Sequence, residues 1–199
     1  MNFDEQRLRD KNEWKSVAQA PNLPFRTHTE IRNAVANRLY VLDVSYIAAR
    51  QLAPFVRSYA GRMLNLLLTV APFLTMLAVI ALAFWQWNFV LLLGVPVAVL
   101  GAWFGHPMNP LRRLVTAVTW FLLLATIAVW NQTFTILVAT WAVPVLTNRA
   151  AYASNLRVLR NAVLQSEALF LNQYSQGAIR LRNVATGAEH VHLGYGSRQ

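Results

Sequence analysis

His190 and His192 alternate along the chain, with Glu189 directly before them. In an extended strand both imidazoles leave the same face, which is how a metal site begins. Two ligands do not complete a tetrahedral site and the sequence offers no third, so a solvated or subunit-contacting strand face is expected. His106 stands between Gly105 and Pro107. No carboxylate lies near it in sequence to tune it, so it reads as a loop histidine rather than a pH sensor. Thr133, Thr135, Thr140 and Thr147 recur along one apolar segment. Such hydroxyls either line a passive pore or donate back to the carbonyl four residues earlier, and the second role is expected for most of them.

Other chemistry is missing by residue type. The chain has no Cys, which removes disulfides, thiolate metal sites and cysteine nucleophiles. No glycine-rich phosphate loop, catalytic carboxylate pair or nucleophile elbow is present. The sequence therefore implies a non-enzymatic protein with no catalytic residues, no cofactor and no metal.

Gly94, Ala98, Gly101 and Gly105 form a small-residue stripe at helical spacing. Small residues let two helix backbones approach closely, so the four are read as a helix-packing interface, either within one chain or between subunits.

The elements that carry these residues follow from charge. No Lys, Arg, Asp or Glu occurs between Arg62 and Arg112, or between Arg113 and Arg149. A hydrocarbon core demands such tracts, and a water-facing surface does not tolerate them. Hydrophobic residues make up 56% of the 199-residue chain and charged residues 13%, about half the usual charged share. The absence of ionisable groups inside the tracts also argues against an ion-coupled transporter.

Four apolar segments can be drawn: Leu64–Trp85, Asn88–Phe104, Leu111–Trp130 and Thr133–Thr147. The second and fourth are short for a crossing of ~30 Å. All 18 basic residues lie outside the two charge-free tracts, with Arg112 and Arg113 at the start of the third segment, and none falls in the connectors Gln86–Trp87 and Asn131–Gln132. By the positive-inside rule, four crossings with both termini cytoplasmic satisfy every charge. Trp85, Trp87 and Trp130 gather at the opposite, outer connectors, as an aromatic belt would. Arg50, Arg57, Arg62, Arg112, Arg113 and Arg149 are then the side chains placed to meet anionic lipid headgroups or a partner. The same placement accounts for the net charge of +10, so nucleic acid is not an expected partner.

The fold class expected is an all-α polytopic membrane protein with about four transmembrane helices, cytoplasmic amphipathic helices and a small C-terminal β-hairpin. Residues 1–27 read as a cytoplasmic linker or short helix without the apolar core of a cleaved signal peptide. Residues 28–62 read as an amphipathic juxtamembrane helix that Pro54 kinks or splits in two, from an apolar stripe running from Ile31 to Ala60 at three- and four-residue spacing. Thr27 or Thr29 caps it, with Glu30 in its first turn. Residues 63–148 are the membrane domain, and 149–176 a cytoplasmic amphipathic helix stopped by Gly177. Residues 177–199 are the hairpin, turning at Thr186-Gly187 and requiring a partner surface.

The implied function is an integral inner-membrane subunit of a larger assembly, of a secretion, conjugation, respiratory or photosynthetic kind. Its partners are the bilayer and other membrane subunits or copies of itself. The alternative is a homo-oligomeric pore, either a passive channel or a membrane-disrupting effector with a cytoplasmic sensing part.

Overall fold

Thr27 opens the first helix. Its hydroxyl accepts the Glu30 backbone N–H at 3.2 Å, and the Glu30 carboxylate accepts the Arg26 N–H at 2.9 Å. This reciprocal capping leads into α1 (His28–Ala36). The bond from Arg26 also holds the Glu30 carboxyl below its ordinary pKa. The structure, a computed structural model, describes residues 8, 10 and 12–192. It divides into two units, one formed by the chain up to Ser58 together with everything from Asn155, the other by Tyr59–Ser154.

In the first unit the expected long helix over 28–62 does not form. Helix α1 ends at Ala36, and Arg38 takes a left-handed conformation with φ 59°. Strand β1 (Tyr40–Val44) follows, then α2 (Tyr46–Val56) with Pro54 inside it. The reason is tertiary pairing. Tyr40-Val41-Leu42-Asp43-Val44 is rich in aromatic and β-branched residues, and β2 (Ile179–Asn183) offers a complementary strand. The two run antiparallel with Leu42 opposite Leu181 and Val44 opposite Ile179. Leu42 belongs to both a helical and an alternating pattern, and the sheet decides between them.

A C-terminal hairpin forms, with β3 (Glu189–His190) on the other side of β2 and Gly187 at φ 71° in the turn, while residues 193–199 of the expected hairpin lie outside the described residues. The sheet has three strands in the order β1-β2-β3, so the hairpin finds its partner surface within its own chain. Leu181 and Ile179 are fully buried with Ile31, Leu42, Leu159, Val163, Phe170 and Tyr174 in one core. The Tyr174 hydroxyl donates to the Pro21 carbonyl at 3.0 Å, and burial pushes its pKa up to about 12.

The second unit is helical. It holds α3 (Tyr59–Trp85), a 3-10 stretch over Phe89–Leu93, α4 (Gly94–Phe104), α5 (Arg112–Val129) and the first part of α6 (Gln132–Gln165). The expected end of the last apolar segment at Thr147 is not an end. Helix α6 continues through Arg149 to Gln165, because no proline or glycine follows Pro144 to stop it. The break comes at Ser166, whose hydroxyl accepts the Leu169 N–H at 3.3 Å and starts α7 (Glu167–Ser175). The single helix expected over 149–176 is thus two.

Helices α3, α5 and α6 are long and apolar enough to cross a membrane. The segment Phe89–Phe104 is the short one. Its 3-10 stretch and its α-helix together reach about 26 Å, a few ångströms less than a hydrocarbon core.

Candidate functional site

The small-residue stripe lies at the centre of the helical unit. Gly94, Ala98 and Gly101 are buried on α4. A Cβ added at Gly94 would stand 2.9 Å from Val79 Cγ2 on α3 and 3.2 Å from Thr140 Oγ1 on α6. One added at Gly101 would stand 2.8 Å from the Trp141 carbonyl oxygen. One added at Gly105 would stand 2.7 Å from the Gly101 carbonyl oxygen and 2.8 Å from Val145 Cα. Real Cβ atoms essentially never come within 3.0 Å of backbone, so Gly101 and Gly105 are required for α4 to lie against α6, while at Gly94 the closest neighbour is a side chain of α3. The stripe is used up inside one chain.

Side-chain hydrogen bonds fasten the same seam. Asn88 Nδ2 donates to Thr133 Oγ1 at 3.0 Å near one end, and Asn148 Nδ2 donates to the Ala102 carbonyl at 3.1 Å near the other. Helices α4 and α6 therefore run in the same direction. Trp141 Nε1 donates to Thr119 Oγ1 at 3.0 Å, tying α6 to α5. Such bonds between helices contribute about 0.6–2 kcal/mol each where water is absent. Sequence reasoning missed Asn88, Thr119, Trp141 and Asn148 as a set. The legible signal was an amide at each end of an otherwise apolar tract.

Two of the four threonines make the expected bond to the carbonyl four residues earlier, and a third bonds three residues back. Thr135 donates to the Asn131 carbonyl, Thr140 to Leu137 and Thr147 to Val143. Their hydroxyl protons are committed to their own helix, while Thr133 accepts from Asn88.

The two ends of this unit differ in chemistry. Trp85, Trp87 and Trp130 are largely exposed at one end. Trp87 and Trp130 each adopt a left-handed backbone, with φ 51° and 47°, directly before the Asn that opens the next segment. Arg62, Arg112 and Arg113 are exposed at the other end. Along α3, Arg62 and Trp85 are about 35 Å apart. Arg149 is half-buried at the same end as Arg112, and the two cations repel each other.

No family model matches this chain, no curated protein matches it, and no solved structure matches it.

In the sheet-bearing unit the predicted arginine contacts part company. Arg50 is exposed on α2 beside Ile47 and Phe55. Arg57 does not face outward with it. Helix α2 ends at Val56 and Arg57 is extended, with φ −71° and ψ 147°, so its side chain leaves the helical face. It is buried, and its Nη2 donates to Asn155 Oδ1 at 2.6 Å. Burial lowers its pKa.

The two histidines of β3 and its end also part. The Asn22 carbonyl accepts from His190 Nδ1 at 2.9 Å. His192 meets the Trp14 ring edge-on, with centroids 4.9 Å apart. Among the described residues no three His, Cys, Asp or Glu side chains gather where a metal ion would be held. His106 Nδ1 accepts the Met108 N–H at 3.3 Å, within its own turn.

Proposed function

We propose that this chain is an integral inner-membrane protein that acts as a non-enzymatic structural subunit of a larger membrane assembly. One observation carries the reading. Only 17% of the apolar window of α3, 11% of that of α5 and 28% of that of α6 is buried within the chain. Phe73, Leu77, Phe121, Leu124 and Ile127 stand well exposed on these helices. Apolar surface on this scale does not persist in water, whereas lipid tails or neighbouring helices cover it without cost.

Charge gives the orientation. The arginine rim faces the cytoplasm and the tryptophans mark the outer boundary, so the connectors Gln86–Trp87 and Asn131–Gln132 are outside. With Phe89–Phe104 as a slightly short fourth crossing, both termini and the three-stranded sheet belong to the cytoplasmic side. A shortfall of a few ångströms costs only a modest amount in local thinning. Arg50, Arg62, Arg112, Arg113 and Arg149 then meet anionic headgroups, at ~1 kcal/mol each. Helix α2 lies along the interface, with Ile47 and Phe55 toward the acyl chains and Arg50 toward phosphate.

The reading of a subunit rests on what these surfaces leave undone. The glycine stripe and the hairpin are satisfied internally, so neither is the docking surface. The lipid-facing sides of α3 and α5 and the exposed face of α2 are what remains for partners. The absence of charged groups along the bundle interior favours a structural role over ion-coupled transport. The rival pore has fewer free donors to line it, since Thr135, Thr140 and Thr147 give their hydroxyl protons to backbone carbonyls of their own helix.

Solubilisation in mild detergent followed by mass spectrometry of the intact complex tests the proposal. Other polypeptides at fixed stoichiometry are expected. A closed ring of this chain alone that conducts ions in liposomes would replace the subunit reading by the pore.

A further inference from the structure

We propose that the pocket between the end of α5 and the start of α6 binds a neutral hexopyranose, either the headgroup of a glycolipid or a free saccharide. The pocket measures about 510 Å³, within the range of sites that hold a small ligand. Trp130 forms one wall, and Thr126, Asn131, Gln132 and Thr135 stand around it. Among the described residues no charged side chain lines the pocket, so an ionic ligand would find no counter-charge there. Trp130 is 90% exposed, which leaves its ring open to a ligand. An indole face is apolar and electronegative together, which suits the C–H face of a sugar ring.

The hydrogen bonds already made decide what the lining still offers. Thr126 Oγ1 donates to the Leu123 carbonyl at 2.7 Å, and Thr135 Oγ1 to the Asn131 carbonyl at 2.9 Å. Both hydroxyls are left as acceptors. Asn131 Oδ1 accepts the Phe134 N–H at 2.9 Å, which leaves its Nδ2 as a donor. The exposed Gln132 amide brings both kinds of group. A ligand that answers them must donate and accept at several points, carry no charge and present an apolar face to Trp130. The hydroxyls of a pyranose ring donate and accept alike. An acyl chain does neither, and a phosphodiester only accepts. A tryptophan that merely marks the bilayer boundary needs depth, and has no need of hydroxyls and amides arranged about its ring.

The site is tested on full-length protein in a detergent whose headgroup is not a sugar. Retention of monoglucosyl diacylglycerol and of diacylglycerol is compared by intact-mass measurement, and methyl β-glucoside is titrated by calorimetry. The glycolipid is expected to be retained about fivefold more strongly than diacylglycerol. Its displacement by methyl β-glucoside, or binding of the glucoside alone, would assign the site to a free saccharide. Retention against that competitor would assign it to the lipid headgroup. Trp130→Gly removes the stacking face and also relieves a left-handed backbone, with φ 47° and ψ 32°. It is expected to weaken sugar binding about tenfold while thermal stability holds or rises. Trp87→Gly has the same backbone conformation away from the pocket lining and is expected to keep binding. Asn131→Asp keeps the oxygen that caps Phe134 and loses the Nδ2 donor, so it is expected to fold and to bind weakly. Equal retention of the two lipids with no heat from methyl β-glucoside would overturn the proposal. So would undiminished binding to Trp130→Gly, or equal losses in Trp130→Gly and Trp87→Gly.

Discussion

The backbone of α4 at Gly101 sits so close to Trp141 that an added Cβ would lie 2.8 Å from its carbonyl oxygen. Neither partner is a flexible side chain, so any larger residue must move a helix. Gly101→Ala is expected to destabilise the helical unit by about 1–3 kcal/mol, the usual range for overpacking. Leu100→Val, on the exposed side of α4, is expected to change little. Thermal unfolding in detergent compares the two, and equal midpoints would show that α4 and α6 do not meet at this seam.

The pairing of β1 with β2 joins segments far apart in sequence. Leu42 faces Leu181 across it. The chain has no Cys, so Leu42→Cys with Leu181→Cys creates a lone pair of thiols. Facing residues of antiparallel strands are about 4.5–5.5 Å apart, within disulfide reach. Oxidation is expected to give an internally crosslinked monomer with faster mobility on a denaturing gel. A Leu39→Cys, Leu181→Cys pair, out of register, is expected to crosslink poorly. Equal yields would refute the register.

Tyr174 makes the sheet-bearing unit sensitive to alkali. Its pKa is raised to about 12 by burial, above the value near 10 of the unfolded chain. The folded state then keeps a proton that the unfolded state loses. Its contribution to stability is complete below pH 10 and is lost between about pH 10 and 12. Tyr174→Phe is expected to flatten that decline in denaturant midpoints, while costing about 1 kcal/mol at neutral pH through the bond to Pro21. A decline of unchanged slope in the variant would assign the alkaline sensitivity elsewhere.

Arg50 and Arg57 separate stability from membrane attraction. Arg57→Gln is expected to lose about 1.5–3 kcal/mol, because it removes a buried charged donor from Asn155. Arg50→Gln is expected to leave unfolding unchanged and to weaken the salt-dependent association of α2 with anionic bilayers. Amide exchange over Tyr46–Val56 in anionic and neutral nanodiscs reads the second effect. Equal protection of the unaltered chain in both would place α2 off the interface.

How far the sequence speaks differs between the two units. Charge-free tracts reveal the long helices because the constraint is compositional and local. The glycine stripe could be read as a close helix contact, and only the coordinates name Trp141 and Val145 as what it meets. Pairing between distant segments is the hardest to read. Nothing local to Tyr40–Val44 announces that Ile179–Asn183 will claim it, and the helical spacing around Leu42 points the other way. Arg57 shows the same limit at one residue. Its position seven after Arg50 puts both on one helical face, until the helix stops one residue early.

Sidedness tests the central claim most directly. With the chain free of Cys, Gln132→Cys and Thr186→Cys each place one exposed thiol at opposite ends of the proposed topology. Intact cells are treated with a membrane-impermeant maleimide, before and after lysis. The account predicts labelling of Gln132→Cys in intact cells, and of Thr186→Cys only after lysis. Labelling of Thr186→Cys from outside, or of both thiols only in a soluble fraction, would contradict it.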